Sequence, residues 1–275
     1  MIGDLYKAHI IISLGIGGKG NFRVDDRLLS KLSNLKLVGM ALEIKGMNET
    51  SLLDWDGKVV ATLFVPKCNF RCPFCHNHEL IEHPDKFETI PFDQIKKFIF
   101  KNKYFLDGVC ITGGEPLVYP DLREFIIKLR ELDMMIKLDT NGSCPEIIVE
   151  LINENIIDYI AMDIKAPLDE KIYETSSGAK VDIDKIKRSI DIIMNSGIDY
   201  EFRSTVVPTL LDIDGVVNIC KSIKGAKKYV LQQFVPENTL EVELRNVKPY
   251  PNDQIKEMVS KCKEYVNKVT VRGLK

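Results

Sequence analysis

The sequence predicts an α/β fold, specifically a partial, open (β/α)6 barrel. Two observations carry this. Short apolar runs rich in β-branched residues alternate with amphipathic helical patterns, and such pairs recur from Lys58 to the end of the 275-residue chain. Alternation of this kind implies parallel strands joined by right-handed crossovers. Roughly six pairs fit, short of the eight that close a complete barrel. A third observation concerns placement: the unusual loops all fall where strands end, and such folds build their sites at that end.

Each element has its own signal. Lys58–Val65 is an apolar, β-branched run and reads as a buried strand. Pro91–Lys103 reads as a helix with proline in its first turn. Asp107–Thr112 is the next strand, closed by Gly113-Gly114-Glu115-Pro116. The helix Tyr119–Leu132 precedes the strand Met134–Asp139, which ends in Thr140-Asn141-Gly142. The helix Pro145–Asn155 leads to the strand Tyr159–Ile164, and the helix Asp182–Ser196 stops at Gly197. Tyr200–Val207 is a strand ending at Pro208, and Asp212–Ile223 a helix. Lys228–Phe234, Asn252–Tyr265 and the neighbourhood of Val269–Val271 read as strand, helix and strand.

The first stretch looks different. Gly15-Ile16-Gly17-Gly18-Lys19-Gly20 lacks the Ser or Thr that follows lysine in a phosphate-binding loop, so it reads as a turn after the strand-like Ile10–Leu14. Residues 1–42 are taken as an N-terminal extension and residues 43–275 as the core domain.

Bulk composition narrows the class. Hydrophobic residues make up 45% and charged residues 28%, ordinary for a soluble globular chain. The net charge of −2 and scattered basic residues give no footprint for nucleic acid. No apolar run reaches membrane-spanning length, and the N-terminus lacks a secretory pattern. The expected location is the cytoplasm, with no membrane partner. Seven cysteines, an odd number, argue against a disulfide framework.

Three of those cysteines are clustered. Cys68, Cys72 and Cys75 form a C-x3-C-x2-C loop directly after a strand. A short loop can curl around a cubane and give thiolates to three irons, leaving the fourth open, as a catalytic metal site requires. Zinc is the rival, with His76, His78 or His83 as a fourth ligand. Pro66, Asn69, Arg71 and Pro73 make the segment a turn-rich loop rather than a core strand. Cys110, Cys144, Cys220 and Cys262 are separate, and three of them sit in apolar elements as small hydrophobes.

The run Phe64-Val65-Pro66-Lys67-Cys68-Asn69-Phe70-Arg71-Cys72-Pro73-Phe74-Cys75-His76-Asn77 resembles the cluster loop of radical S-adenosylmethionine enzymes. More narrowly, it is similar to the activating enzymes of glycyl-radical proteins, of the pyruvate formate-lyase and anaerobic ribonucleotide reductase kind. Thr50-Ser51-Leu52-Leu53-Asp54-Trp55-Asp56-Gly57 resembles their lead-in segment, with Asp56 where proline is common. The resemblance runs from about Ile44 to the C-terminus. It implies a radical S-adenosylmethionine barrel holding a [4Fe–4S] cluster and S-adenosylmethionine. It further implies reductive cleavage to a 5′-deoxyadenosyl radical, which takes hydrogen from a glycine of a partner enzyme. A flavodoxin or ferredoxin would be the electron donor.

Residue roles follow from the same resemblance. Cys68, Cys72 and Cys75 would hold the cluster. Gly113, Gly114 and Glu115 match a turn against the methionine moiety; the alternative is a plain strand-to-helix turn, since Gly-Gly turns are common. Phe74 would stack near adenine, with Cys75 and His76 beside it. Asp163, Ile164 and Lys165 match a segment contacting the cofactor, Lys165 through a carboxylate. Asp139 and Asp163 match a pair holding a monovalent cation. Arg203 alternates inward on its strand, where it would meet either a substrate or partner-loop carboxylate, or a salt bridge across the barrel. The family's histidine after the sixth strand is absent: the position reads Gln232-Gln233-Phe234. Two other activities remain open: radical chemistry on a small molecule or peptide, and a non-catalytic zinc-binding protein.

Overall fold

A computed structural model describes residues 42–274. The expected extension therefore lies outside the described residues, except for Leu42, whose amide donates to the Asp121 carboxylate at 2.9 Å.

Eight strands form one sheet in sequence order. They are β1 (Gly46–Ser51), β2 (Val60–Val65), β3 (Gly108–Gly113), β4 (Met135–Thr140), β5 (Tyr159–Asp163), β6 (Asp199–Val206), β7 (Tyr229–Gln233) and β8 (Val269–Arg272). β1 is antiparallel to β2, and every later pairing is parallel. Each of β2 to β7 is followed by helix, so the six β/α units expected from the sequence are present, with β8 closing the series. The helices among the described residues are α1 (His78–Glu82), α2 (Phe92–Asn102), α3 (Leu122–Arg130), α4 (Pro145–Asn153), α5 (Glu170–Ser177), α6 (Ile183–Asn195), α7 (Ile213–Ser222) and α8 (Asn252–Cys262). No helix among the described residues is long and apolar enough to cross a membrane.

Local chemistry sets these boundaries. Asp169, Asp182 and Asp212 cap α5, α6 and α7 by accepting from amides of the first turn. Glu115 accepts from Leu117 N and starts a 3-10 turn at Pro116–Val118, so α3 begins at Leu122 rather than at the expected Tyr119. One face of each parallel strand is buried against helices. Leu63, Ile111, Leu138 and Ile160 are fully buried, as are Ile126 and Leu129 of α3. β1, α1 and α5 are elements the sequence reading did not contain.

The inner face of the barrel is unusually polar. Glu201 has no exposed side-chain surface, yet it pairs with Lys228 at 2.7 Å and with Arg272 at 2.6 Å. Tyr159 Oη donates to it at 3.2 Å, and Lys137 lies at 3.8 Å. Asp56, in the β1–β2 turn, reaches Lys228 at 2.6 Å and Arg272 at 3.1 Å. Ion pairs thus link the β1 and β8 edges of the sheet.

Burial raises the Glu201 carboxyl, but the Arg272 hydrogen bond and the Lys137 charge outweigh it and bring it down to about 2. The group therefore stabilises the fold above its unfolded value of 4.5, and that contribution is lost as pH falls toward 2. Glu201→Gln leaves buried cations short of a counter-charge. We expect it to cost about 3 kcal/mol at pH 7. We also expect it to flatten the fall in melting temperature between pH 4.5 and 2, as read by calorimetry.

Candidate active site

The mouth of the barrel is built from strand ends. The loop after β2 carries Cys68, Cys72 and Cys75, and the turn after β3 carries Gly113, Gly114 and Glu115. Asp139 and Thr140 end β4, Asp163 ends β5, and Arg203 lies in β6. Together with Phe74, His76, Asn141 and Lys165, all of these line one cavity of about 450 Å3, a size suited to a small cofactor. Ile164 is the exception among the expected site residues. Its side chain is fully buried in the core, and its amide and carbonyl are engaged by Arg203 O and Ser204 Oγ. It contributes the chain's path, not a surface to the cavity.

Two glycines clamp the cysteine loop by letting backbone approach backbone. A Cβ on Gly114 would stand 2.0 Å from Lys67 O. Gly178, left-handed at φ +62°, ends α5, and a Cβ there would stand 2.0 Å from Arg71 O. Arg71 N in turn donates to Ser177 O at 2.8 Å. The loop is also pinned from its far end. Asn77 Nδ2 donates to Gly113 O at 2.8 Å, and Glu241 N to Pro73 O at 2.9 Å. No motif singles out Gly178, although Asp169 and Gly178 bracket α5 with the usual cap chemistry.

The electrostatics are specific. Burial pushes the Cys68 thiol up to about 12, with Glu115 adding to it, and the Cys72 thiol up to about 11. Cys75 is raised by the same cause. Three thiols facing one cavity thus resist ionisation unless positive charge comes among them, which is what a cluster of irons supplies. The donor set fits such a cluster. It fits zinc less well. His76 Nε2 lies 2.8 Å from Val235 O, and the two nitrogens of His78 face Glu82 and Asn238. Among the described residues, no three His, Cys, Asp or Glu side chains are grouped to hold a single ion.

Deeper in the cavity, charges are already paired. Arg203 Nε meets Asp163 at 2.8 Å and its Nη1 meets Asp139 at 2.9 Å. The guanidinium thus bridges the two carboxylates expected to share a monovalent cation, in ion pairs that cross from β6 to the ends of β4 and β5. Lys165 Nζ bonds Asp163 at 3.1 Å and lies 6.0 Å from the Phe74 ring centroid. Burial raises the Asp163 carboxyl, but Arg203 and Lys165 outweigh it and hold it well below the usual range. Burial pushes Glu115 up to about 7 against the pull of three hydrogen-bond donors. Of the two glutamines that stand where the family has histidine, Gln232 lines the cavity. Gln233 turns away to Tyr250 O at 2.7 Å.

A partial parallel barrel with a three-thiol loop and a glycine turn facing one cavity is the architecture of a cofactor-dependent enzyme. The chain belongs to the radical SAM superfamily, whose family profile matches residues 62–218, more than half of its length. Two relatives match over nearly their whole lengths. A protein of Methanocaldococcus jannaschii, provisionally named a glycyl-radical enzyme activating enzyme, is 30% identical over 84% of this chain and 96% of its own. The pyruvate formate-lyase-activating enzyme of Clostridium pasteurianum is 26% identical over 80% of this chain and 97% of its own. Shorter matches include Methanococcus proteins named as probable GTP 3′,8-cyclases. Among solved structures, Streptococcus suis SuiB bound to the precursor peptide SuiA aligns with a TM-score of 0.56 at 16% identity. That alignment covers 97% of this chain but only 60% of SuiB, and it speaks to the fold. The chain is thus a radical SAM enzyme with the iron–sulfur and S-adenosylmethionine chemistry of that superfamily.

Proposed function

We propose that this enzyme is a glycyl-radical enzyme activating enzyme, with a protein as its hydrogen donor. In this reading residues 43–275 form the radical SAM core. Cys68, Cys72 and Cys75 hold the [4Fe–4S] cluster. The backbone of Gly113 and Gly114 lies against the methionine moiety of S-adenosylmethionine, and Glu115 fixes that turn. Lys165 pairs with the cofactor carboxylate, and Phe74 and His76 flank its adenosine. When bound, cluster and cofactor supply a one-electron cleavage that delivers a hydrogen-abstracting radical. The chain's own part is to orient them, shield the cavity from water and present Gln232 and Thr205 beside the reacting space.

One observation favours a peptide over a polyphosphate nucleotide as substrate. The cavity presents four carboxylates, Asp54, Glu115, Asp139 and Asp163, against two cations, Lys165 and Arg203. Both cations are engaged by aspartates. A triphosphate needs surplus positive charge, whereas a neutral glycine-bearing loop does not. The near full-length match to two activating enzymes supports the same reading.

The test is electron paramagnetic resonance of the reduced, reconstituted enzyme mixed with a glycyl-radical protein from the same cell and S-adenosylmethionine. A stable protein-based glycyl doublet in the partner is the expected outcome. If S-adenosylmethionine is cleaved at the same rate with and without the partner, and no doublet forms, the protein-substrate reading fails. A small-molecule donor then takes its place.

A further inference from the structure

The cluster loop is tied to the turn after β4 by side chains that no motif assigns. Asn141 Nδ2 donates to Asn69 Oδ1 at 2.8 Å and stands 4.0 Å from Cys68 Sγ. Asn69 Nδ2 returns a bond to Ser143 Oγ at 2.8 Å. Ser143 N donates to Asn141 Oδ1 at 3.0 Å, so the amide cannot flip without losing a partner. Below, the buried Glu115 carboxylate accepts Asn141 N at 2.6 Å and Thr140 Oγ1 at 2.8 Å. The turn is therefore held from beneath, and the Asn141 side chain is held from both sides. Its amide N–H is aimed at one of the three sulfurs of the cluster loop.

We propose that Asn141 is a positioning residue that tunes the cluster. It locks the Cys68 arm of the loop through Asn69 and offers an N–H to the Cys68 sulfur. Hydrogen bonds to cluster sulfurs stabilise the more negative, reduced state and raise the reduction potential. Outer-shell partners of metal ligands have effects of this kind without touching the metal. Cys68 also receives Phe70 N at 3.3 Å. That bond belongs to the loop backbone, whereas the Asn141 contact can be removed by substitution. The proposal rests on the radical SAM assignment of Cys68.

The experiment is an anaerobic redox titration, with dithionite and mediators, of wild-type and Asn141→Ala enzyme, alongside iron and sulfide analysis. The expected result is unchanged iron content with the midpoint moved to a more negative potential. At a potential fixed near the wild-type midpoint, the ratio of reduced to oxidised cluster should fall about tenfold, equivalent to about 59 mV for a one-electron couple. Normal iron with an unmoved or more positive midpoint overturns the proposal. If Asn141→Ala loads no iron, Asn69→Ala decides. It leaves the turn backbone intact but removes the anchor that aims Asn141, so a negative shift is expected, and no shift overturns the idea. A wild-type chain that binds no iron–sulfur cluster sinks the cofactor assignment itself, an outcome distinct from either of these.

Discussion

Cys72→Ala is expected to abolish S-adenosylmethionine cleavage, lowering it by well over the roughly 100-fold that loss of an outer-shell partner can reach. Cys72 is the most deeply placed of the three cysteines: it is buried, whereas Cys68 and Cys75 are half-buried. Water therefore has poor access to stand in for the missing thiolate. The loop around it is fixed by Gly114, Gly178, Ser177 and Glu241, so it cannot move another ligand into the gap. None of the remaining cysteines belongs to that cavity's lining. Iron per chain and the release of 5′-deoxyadenosine are the measurements. Cleavage at the wild-type rate in this variant would remove the cysteine loop from the mechanism.

The second large effect is expected from Gly178→Val, at a position remote in sequence from any motif. The substitution forces a β-branched residue into a left-handed conformation, at a cost of order 1–3 kcal/mol. It also drives a Cβ into the Arg71 carbonyl at 2.0 Å, and backbone cannot step aside as a side-chain tip can. Overpacking of this kind typically adds about 1–3 kcal/mol. Because Arg71 sits between Cys68 and Cys72, the damage falls on the loop, and iron content should drop below half of wild type. Gly114→Val should do the same through Lys67 O. The motif alone suggests only weakened cofactor binding for that variant, but the backbone overlap extends the damage to the cluster loop. Gly197→Ala is the control. That glycine is also left-handed, at φ +81°, but nothing lies within 4 Å of its Cβ position. It should lose about 1 kcal/mol and keep its iron. Full iron in Gly178→Val would show that the close approach does not govern the loop.

Much of this architecture was legible because its signals are local. Strands β2 to β8 and six of the eight helices among the described residues follow from runs of apolar residues at period 2 or 3.6, and the cysteine loop from spacing alone. What escaped has physical reasons. β1, Gly-Met-Asn-Glu-Thr-Ser, is an antiparallel edge strand, largely exposed and without a continuous apolar run. α5, Glu-Lys-Ile-Tyr-Glu-Thr-Ser-Ser, packs through Tyr173 and buried serines, so its apolar stripe is thin. The bridge from Asp163 to Arg203 depends on β5–β6 register, which pairs those two residues directly. Alternation along β6 shows only that Arg203 points inward. The Asn141–Asn69 tie joins residues 72 positions apart, and each asparagine taken alone reads as an ordinary turn residue. Polarity inside the barrel was the least legible feature, because Lys137 and Glu201 each look like surface charges until the open sheet curls around them.

The most direct test of the radical SAM assignment to this cavity is anaerobic purification, followed by iron and sulfide analysis and addition of S-adenosylmethionine under reductant. The account predicts about four irons and four sulfides per chain, and release of 5′-deoxyadenosine and methionine. A colourless protein carrying zinc, with no acid-labile sulfide and no cleavage, would contradict it.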